Sequence, residues 1–306
     1  VLSYLHNRLL HSRHLHSALR KQRSDITHAP SNSMAPTIHC VRHAQGYHNL
    51  SVANHSMHDP LLTPLGEQQC RNLAKAFPYH DAVEAVVASP IKRTMYTALL
   101  GFGSDIAVKE LKVIALPDLQ ETSDLPCDTG SSPAEVAKEF EGNPVDLALL
   151  TEDWCSKKGK YAPHAQAIEA RARDARKWLM GRQEKEIVVV SHGGFLHYFT
   201  EDWTGSDKFQ GTGWANTEFR SYTFSTHDPN NAHLVETPAS RKRRLGHEKP
   251  LDQNEQEQLK RTATKDWDEK GYVQGNSNGA ERARAAQAKL ADTRRDDVGG
   301  GMASYV

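Results

Sequence analysis

Chemistry in this chain gathers around the run Thr37-Ile-His-Cys-Val-Arg-His-Ala-Gln-Gly-Tyr-His-Asn49. Arg42 and His43 stand together at the end of a short apolar stretch, and Asn49 follows in the next turn of chain. A neutral imidazole can attack phosphorus, and a guanidinium matches phosphoryl oxygens with paired N–H donors. An unperturbed imidazole pKa of about 6.5 leaves a useful neutral fraction at physiological pH. Phosphorylating the imidazole would split one difficult hydrolysis into two easier displacements. Phosphoryl transfer also needs charge neutralisation at the equatorial oxygens and a proton for the leaving group. Arg93, in Ser89-Pro-Ile-Lys-Arg-Thr94, offers a second guanidinium, and His192, in Val190-Ser-His-Gly-Gly194, a second imidazole beside glycines that allow close backbone approach. Asn49 would orient a phosphoryl oxygen or the ring of His43. Taken singly, each of these residues has an ordinary reading as a surface arginine, a turn histidine or a solvated amide.

The elements that would hold them follow from the hydrophobic pattern. Strand-length apolar runs recur at Thr37–Arg42, Ala85–Ser89, Leu111–Leu116 and Ile187–Ser191, separated by helical patterns at Pro64–Phe77, Ile91–Leu100 and His164–Met180. The unbroken Ile-Val-Val-Val of 187–190 suits a parallel strand covered on both faces. Alternation of strand and helix predicts an α/β sandwich with right-handed crossovers, and ligands in such sheets sit at the carboxyl ends of strands. Phe219–Phe224 and Ala232–Val235 alternate as edge strands would. Arg93 falls at a predicted helix start, where free backbone N–H groups favour anions. Two polar insertions, Asn49–Asp59 and Glu121–Trp154, interrupt the core where specificity loops would lie, the second with a short helix at Ala134–Glu141.

Five ordered motifs, Arg42–Asn49, Asp59–Gly66, Ser89–Thr94, Leu119–Glu121 and Val190–Gly194, resemble the histidine phosphatase superfamily, in its phosphoglycerate-mutase-like branch. The likeness runs from about Thr37 to Glu236. With Gly213-Trp-Ala-Asn-Thr-Glu218 it is most similar to fungal phosphoglycerate-mutase-like proteins. It implies a three-layer α/β/α sandwich with a mainly parallel sheet. It also implies His43, Glu121 and His192 as catalytic residues, with Glu121 the proton donor, and Arg42, Asn49 and Arg93 as phosphate-binding residues. The expected activity is metal-independent hydrolysis of a small phosphorylated metabolite through a phosphohistidine, without a cofactor. Two alternatives stay open: mutase-type phosphoryl transfer, and a non-catalytic phosphoryl-binding or regulatory protein on the same fold. Mutases of the superfamily carry Glu-Arg-His-Tyr-Gly where this chain reads Glu121-Thr-Ser-Asp-Leu, a departure that favours hydrolysis. Tyr47, His48, His55 and His58 could recognise substrate, and Asp128 and Ser131 could touch the leaving group. Trp214, Asn216 and Glu218 read as structural or rim-lining, and His197 as a helix-surface or supporting residue.

Composition bounds the rest. The 306 residues carry 38 basic and 38 acidic side chains, unevenly: +4 over 1–36, −7 over 37–236 and +3 over 237–306. An acidic catalytic segment lacks the broad basic face of a nucleic-acid binder. No apolar run approaches the ~20 residues of a membrane helix. Cys40, Cys70, Cys127 and Cys155 have neither metal spacing nor a disulfide framework, so a reducing, cytoplasmic setting is expected. Residues 1–36, rich in Arg, Ser and His with no acid before Asp25, form an N-terminal extension that could instead direct mitochondrial import. Residues 237–306, charged and poor in aliphatics, are expected to be a disordered or loosely helical tail without a core of its own, so that a chain spanning Met34 to Ser240 would fold and act alone. The cluster Arg241–Arg244 reads as a solvated charge run.

Overall fold

The computed structural model describes residues 35–206, 212–228 and 230–269. The predicted transit segment, as far as residue 34, and the tail beyond 269 lie outside the described residues. Seven strands form one sheet: β1 (Thr37–Arg42), β2 (Ala85–Ala88), β3 (Val113–Ala115), β4 (Val145–Asp146), β5 (Glu186–Ser191), β6 (Phe219–Phe224) and β7 (Leu234–Glu236). Their spatial order is β4-β3-β2-β5-β1-β6-β7. The β1–β5, β2–β5, β2–β3 and β3–β4 pairs are parallel, while β6 runs antiparallel to both β1 and β7. The α/β sandwich read from the sequence is therefore the observed fold. Only β7 of the two late strands is an edge, since β6 is paired on both sides.

The sheet is covered on both faces because its strands alternate their side chains between two cores. Ile38, Cys40, Val87, Ile187 and Val189 enter one core, and Val41, Val86, Ala88, Val188 and Val190 the other. The first core is closed by helices α5 (Ala165–Met180) and α6 (Gly193–Thr200), the second by α1 (Pro64–Ala76), α2 (Lys92–Gly101) and α3 (Gly103–Val108). Local signals start these helices: Thr63 Oγ1 accepts the Gly66 N–H at the head of α1, and Ser132 with Glu135 makes a capping box for α4 (Pro133–Glu139). Gly66 must be glycine, since a Cβ would meet the Gln45 carbonyl oxygen at 2.1 Å.

The tail departs from expectation. Thr237 caps α7 (Pro238–Leu245), and α8 spans Gln253–Glu269. Ala263 and Trp267 of α8 are buried in the first core, with Leu259 packed against it. These three residues recur every four positions, a stripe that keeps one helix face apolar within a charged sequence. Trp267 meets Trp203 at 5.7 Å between ring centroids, and the Trp203 N–H donates to Gln256 Oε1 at 2.7 Å. Arg241 and Arg244 are likewise bonded to Glu236 rather than being a solvated run. The expectation of a disordered, unpacked tail is thus corrected as far as residue 269. Composition averaged over the whole tail concealed one short amphipathic helix.

Candidate active site

Three neighbouring strands deliver the site. Arg42 pairs with Ser191, and Ala88 with Val190, so β1, β5 and β2 end at a common edge. His43, His192 and Ser89 are each the first residue beyond one of these strands.

The His43 Nδ1 lies 2.7 Å from the Ala44 carbonyl oxygen. A carbonyl only accepts, so Nδ1 holds the proton and Nε2 keeps its lone pair. Arg93 Nε donates to that lone pair at 3.3 Å. Arg93 Nη2 donates to His192 Nδ1 at 3.0 Å and to Asp128 Oδ1 at 2.8 Å, and Nη1 to the Cys127 carbonyl at 2.5 Å. The second nitrogen of His192 therefore donates to Ser89 Oγ, 2.9 Å away. Burial, then the charges of Arg93 and Arg42, hold His43 well below the usual imidazole value. Burial and Arg93 do the same to His192, so both rings are neutral at neutral pH. Arg42 is buried; one terminal nitrogen donates to the Trp214 carbonyl, while its Nε has no partner among the described residues. A buried guanidinium N–H without an acceptor beside a neutral imidazole suits an anionic oxygen.

Glu121 is fixed by the start of α6. That helix has no side chain of its own capping its first turn. The Glu121 carboxylate fills the role, with Oε1 accepting from Phe195 N at 2.8 Å and Thr122 N at 2.9 Å, and Oε2 from Gly194 N at 3.2 Å. Glycine is needed at 194, where a Cβ would stand 2.8 Å from Glu121 Oε1. Burial and the neighbouring Asp128 raise the Glu121 carboxyl above its ordinary value, against the pull of the Thr122 amide. From behind, Lys157 Nζ and Arg171 Nη2 donate to the Glu121 carbonyl at 3.2 and 3.3 Å. Burial pushes the Lys157 ammonium down to about 7.

A cavity of about 290 Å³ opens over the cluster, with Arg42, His43, Asn49, Glu121 and Asp128 in its walls. The structure thus brings Arg42, His43, Arg93, Glu121 and His192 together. Asn49 also lines the cavity, but its Oδ1 accepts the Gly46 N–H at 3.0 Å, and the His43 ring is held by Ala44 and Arg93 instead. His192 is bonded to Arg93 and Ser89, so it steadies the guanidinium as well as offering an imidazole. The start of α2 is closed by Asp59, whose Oδ1 accepts the Lys92 N–H at 3.0 Å; the anion at that terminus is a side chain of the protein. The other Asp59 oxygen accepts from Ser131 Oγ at 2.7 Å, which ties the two insertions together and accounts for Ser131. His48 is buried with its ring 5.3 Å from that of His43, whereas His197 is fully buried, stacked on Trp203. Trp214, Asn216 and Glu218 are structural: they accept from Arg42, donate to the His43 carbonyl and bind Arg220. Asp266 and Trp267 of α8 also line the cavity, and only the stripe at 259, 263 and 267 hinted at them. Among the described residues, no group of His, Cys, Asp and Glu is arranged to hold a metal ion, and no helix is long and apolar enough to cross a membrane.

The sequence profile of the histidine phosphatase superfamily (branch 1) matches residues 38–237. The chain belongs to the histidine phosphatase superfamily. Its relatives include a phosphoglycerate mutase-like protein of Arabidopsis thaliana, 34% identical over 202 residues, covering 53% of this chain and 72% of that protein. A probable phosphatase of Schizosaccharomyces pombe is 30% identical over 177 residues, covering 55% of this chain and 79% of its own. Among solved structures, a phosphoserine phosphatase mutant of Entamoeba histolytica aligns with a TM-score of 0.42 at 20% identity, covering 66% of this chain and 95% of that one. Membership in this superfamily, together with a site built around two histidines and two arginines, assigns the chain to phosphatase or phosphoryl-transfer chemistry in general.

Proposed function

We infer that this histidine phosphatase superfamily member hydrolyses small phosphomonoesters through a phosphohistidine on His43, without a metal ion. The observation that carries the reading is the His43 tautomer. With Nδ1–H committed to the Ala44 carbonyl, the nucleophilic Nε2 faces the Arg93 guanidinium. A phosphoryl oxygen arriving there takes over the Arg93 Nε–H, and the unpartnered Arg42 Nε serves a second oxygen. The Nε2–phosphorus bond forms as the ester P–O bond breaks, and its electron pair leaves with the alkoxide oxygen. Glu121 protonates that oxygen, since its raised pKa keeps part of the carboxyl protonated. Water then displaces His43 from phosphorus and gives its proton to Glu121, which restores both groups.

Hydrolysis is favoured over mutase transfer by the segment after Glu121. Thr122 and Ser123 line the cavity there, and Asp128 is tied to Arg93. No arginine stands in the segment to hold the acid group of a phosphoglycerate. The test is turnover of para-nitrophenyl phosphate with chelator present, alongside 3-phosphoglycerate with a bisphosphate primer. Acid-labile phosphate should appear on His43, and His43→Ala should lose several orders of magnitude in kcat. Mutase turnover, or near-normal hydrolysis by the alanine variant, would overturn the reading.

A further inference from the structure

Glu121 is held at both ends, and one distant side chain touches both holds. Its carboxylate rests on the Thr122, Gly194 and Phe195 amides. Its main chain follows a single 3-10 turn at Pro117–Leu119 and belongs to no strand or helix. Backbone outside a ladder needs other donors for its buried carbonyls, and those donors fix where it lies.

Arg171 of α5 supplies them. Its Nη1 donates to the Asp118 carbonyl at 2.8 Å and to the Gln120 carbonyl at 2.6 Å, and its Nη2 to the Glu121 carbonyl at 3.3 Å. Ser191 Oγ takes the intervening Leu119 carbonyl at 2.8 Å, so the backbone leading to Glu121 is held at each step. The guanidinium carbon of Arg171 also lies 4.5 Å from the centre of the Phe195 ring. Arg171 thereby joins the main chain of Glu121 to the residue whose N–H binds Glu121 Oε1. It is buried on a helix face whose neighbours Ile168, Ala172 and Ala175 pack in the first core. A guanidinium is costly to bury there, and the three carbonyls offset that cost. Lys157 donates to the Glu121 carbonyl from the other insertion side at 3.2 Å, with a φ of +54° that is uncommon for a residue with a side chain. Neither Arg171 nor Lys157 lines the cavity, so neither reaches the phosphoryl group.

We propose that Arg171, assisted by Lys157, is a positioning residue that sets where the Glu121 carboxyl stands against the leaving oxygen. This role rests on the reading of Glu121 as proton donor in hydrolysis. Arg171→Lys keeps the charge but replaces a planar fork by one nitrogen, which cannot hold three carbonyls. With the full chain, kcat and KM are measured on propyl phosphate and para-nitrophenyl phosphate for the native protein, Arg171→Lys, Glu121→Gln and the double variant. Arg171→Lys should lower kcat by about tenfold or more on propyl phosphate and by about threefold or less on the nitrophenyl ester, with KM little changed, because a misplaced acid matters only where the leaving oxygen needs its proton. In the Glu121→Gln background the same substitution should cost less than about twofold on propyl phosphate, since the two residues act as a unit. Equal losses on the two esters, a loss that multiplies in full in the double variant, or unchanged kinetics would each overturn the proposal. Where Arg171→Lys does not fold, Lys157→Met decides in its place: a smaller loss of the same selective kind supports the role, and no loss overturns it. Equal losses on both esters in Glu121→Gln, or a native protein inactive on both, would instead overturn the proton-donor reading beneath it.

Discussion

Replacing Glu121 with glutamine separates proton donation from positioning. In the native site three backbone N–H groups, of Thr122, Gly194 and Phe195, converge on the carboxylate. Glutamine keeps one acceptor oxygen. With that oxygen on Thr122 and Phe195, its NH2 faces the Gly194 N–H, and a donor left without an acceptor costs about 1–3 kcal/mol. Removing the buried charge works the other way. Burial and Asp128 raise the native carboxyl pKa, and each unit of such a rise is about 1.36 kcal/mol of strain on the ionised form. The two effects oppose each other, so the melting temperature should move by only a few degrees, at about 2–4 °C per kcal/mol for a domain of this size. Catalysis has no such compensation. A general acid supplies about 10²–10⁴-fold, so kcat/KM on an alkyl phosphate should fall by at least about 100-fold. Nitrophenolate departs without full protonation, and the loss on its ester should stay below about tenfold. The acid form of Glu121 is lost as pH rises through its raised pKa. The alkaline fall in native activity on alkyl phosphates should therefore vanish in the variant. Equal losses on both esters would refute proton donation by Glu121, and Asp128, which shares the cavity, would become the candidate.

Three further outcomes follow from the same contacts. Gly194→Ala should impair alkyl phosphate turnover well beyond its effect on stability, because the new Cβ would stand 2.8 Å from Glu121 Oε1 and displace the carboxylate; unchanged kinetics would remove the close approach from the argument. Trp267→Ala should destabilise the protein by about 3 kcal/mol, read by urea unfolding, since the side chain is only 6% exposed; an unchanged midpoint would show that α8 contributes nothing to the core. Below the unfolded-state pKa of about 6.5, the unfolded chain takes protons that the native histidines refuse. His39, His43, His48, His192 and His197 all have depressed native values, so each should withdraw up to about 1.36 kcal/mol per pH unit as pH falls from 6.5 toward 4. Stability that is flat across that window would contradict their burial as neutral rings.

Much of the site was legible in the sequence because strand ends are local features. Arg42-His43, Ser89 and Ser191-His192 each follow a short Val/Ile-rich or Ala/Val run, and a parallel sheet brings such ends to one edge whatever the strand order. The boundaries of β1 and β6 also agree with their hydrophobic runs, while β3 is shorter because Leu111, Lys112 and Leu116 lie outside its ladder. The fold class and the types of residue in the site were thus set by pattern and by the chemistry of single side chains. Partnerships were not, since they join residues far apart in the chain. Only the packed molecule binds Glu121 to the head of α6, Asp59 to the head of α2, and Asn49 to Gly46. Helix α8 marks the boundary most clearly. Its stripe of Leu259, Ala263 and Trp267 is visible in the sequence, but a helix with so narrow an apolar face has no use for it until a core presents Trp203 and Tyr198. Burial of that face is a tertiary event, and it makes Asp266 and Trp267 part of the cavity wall.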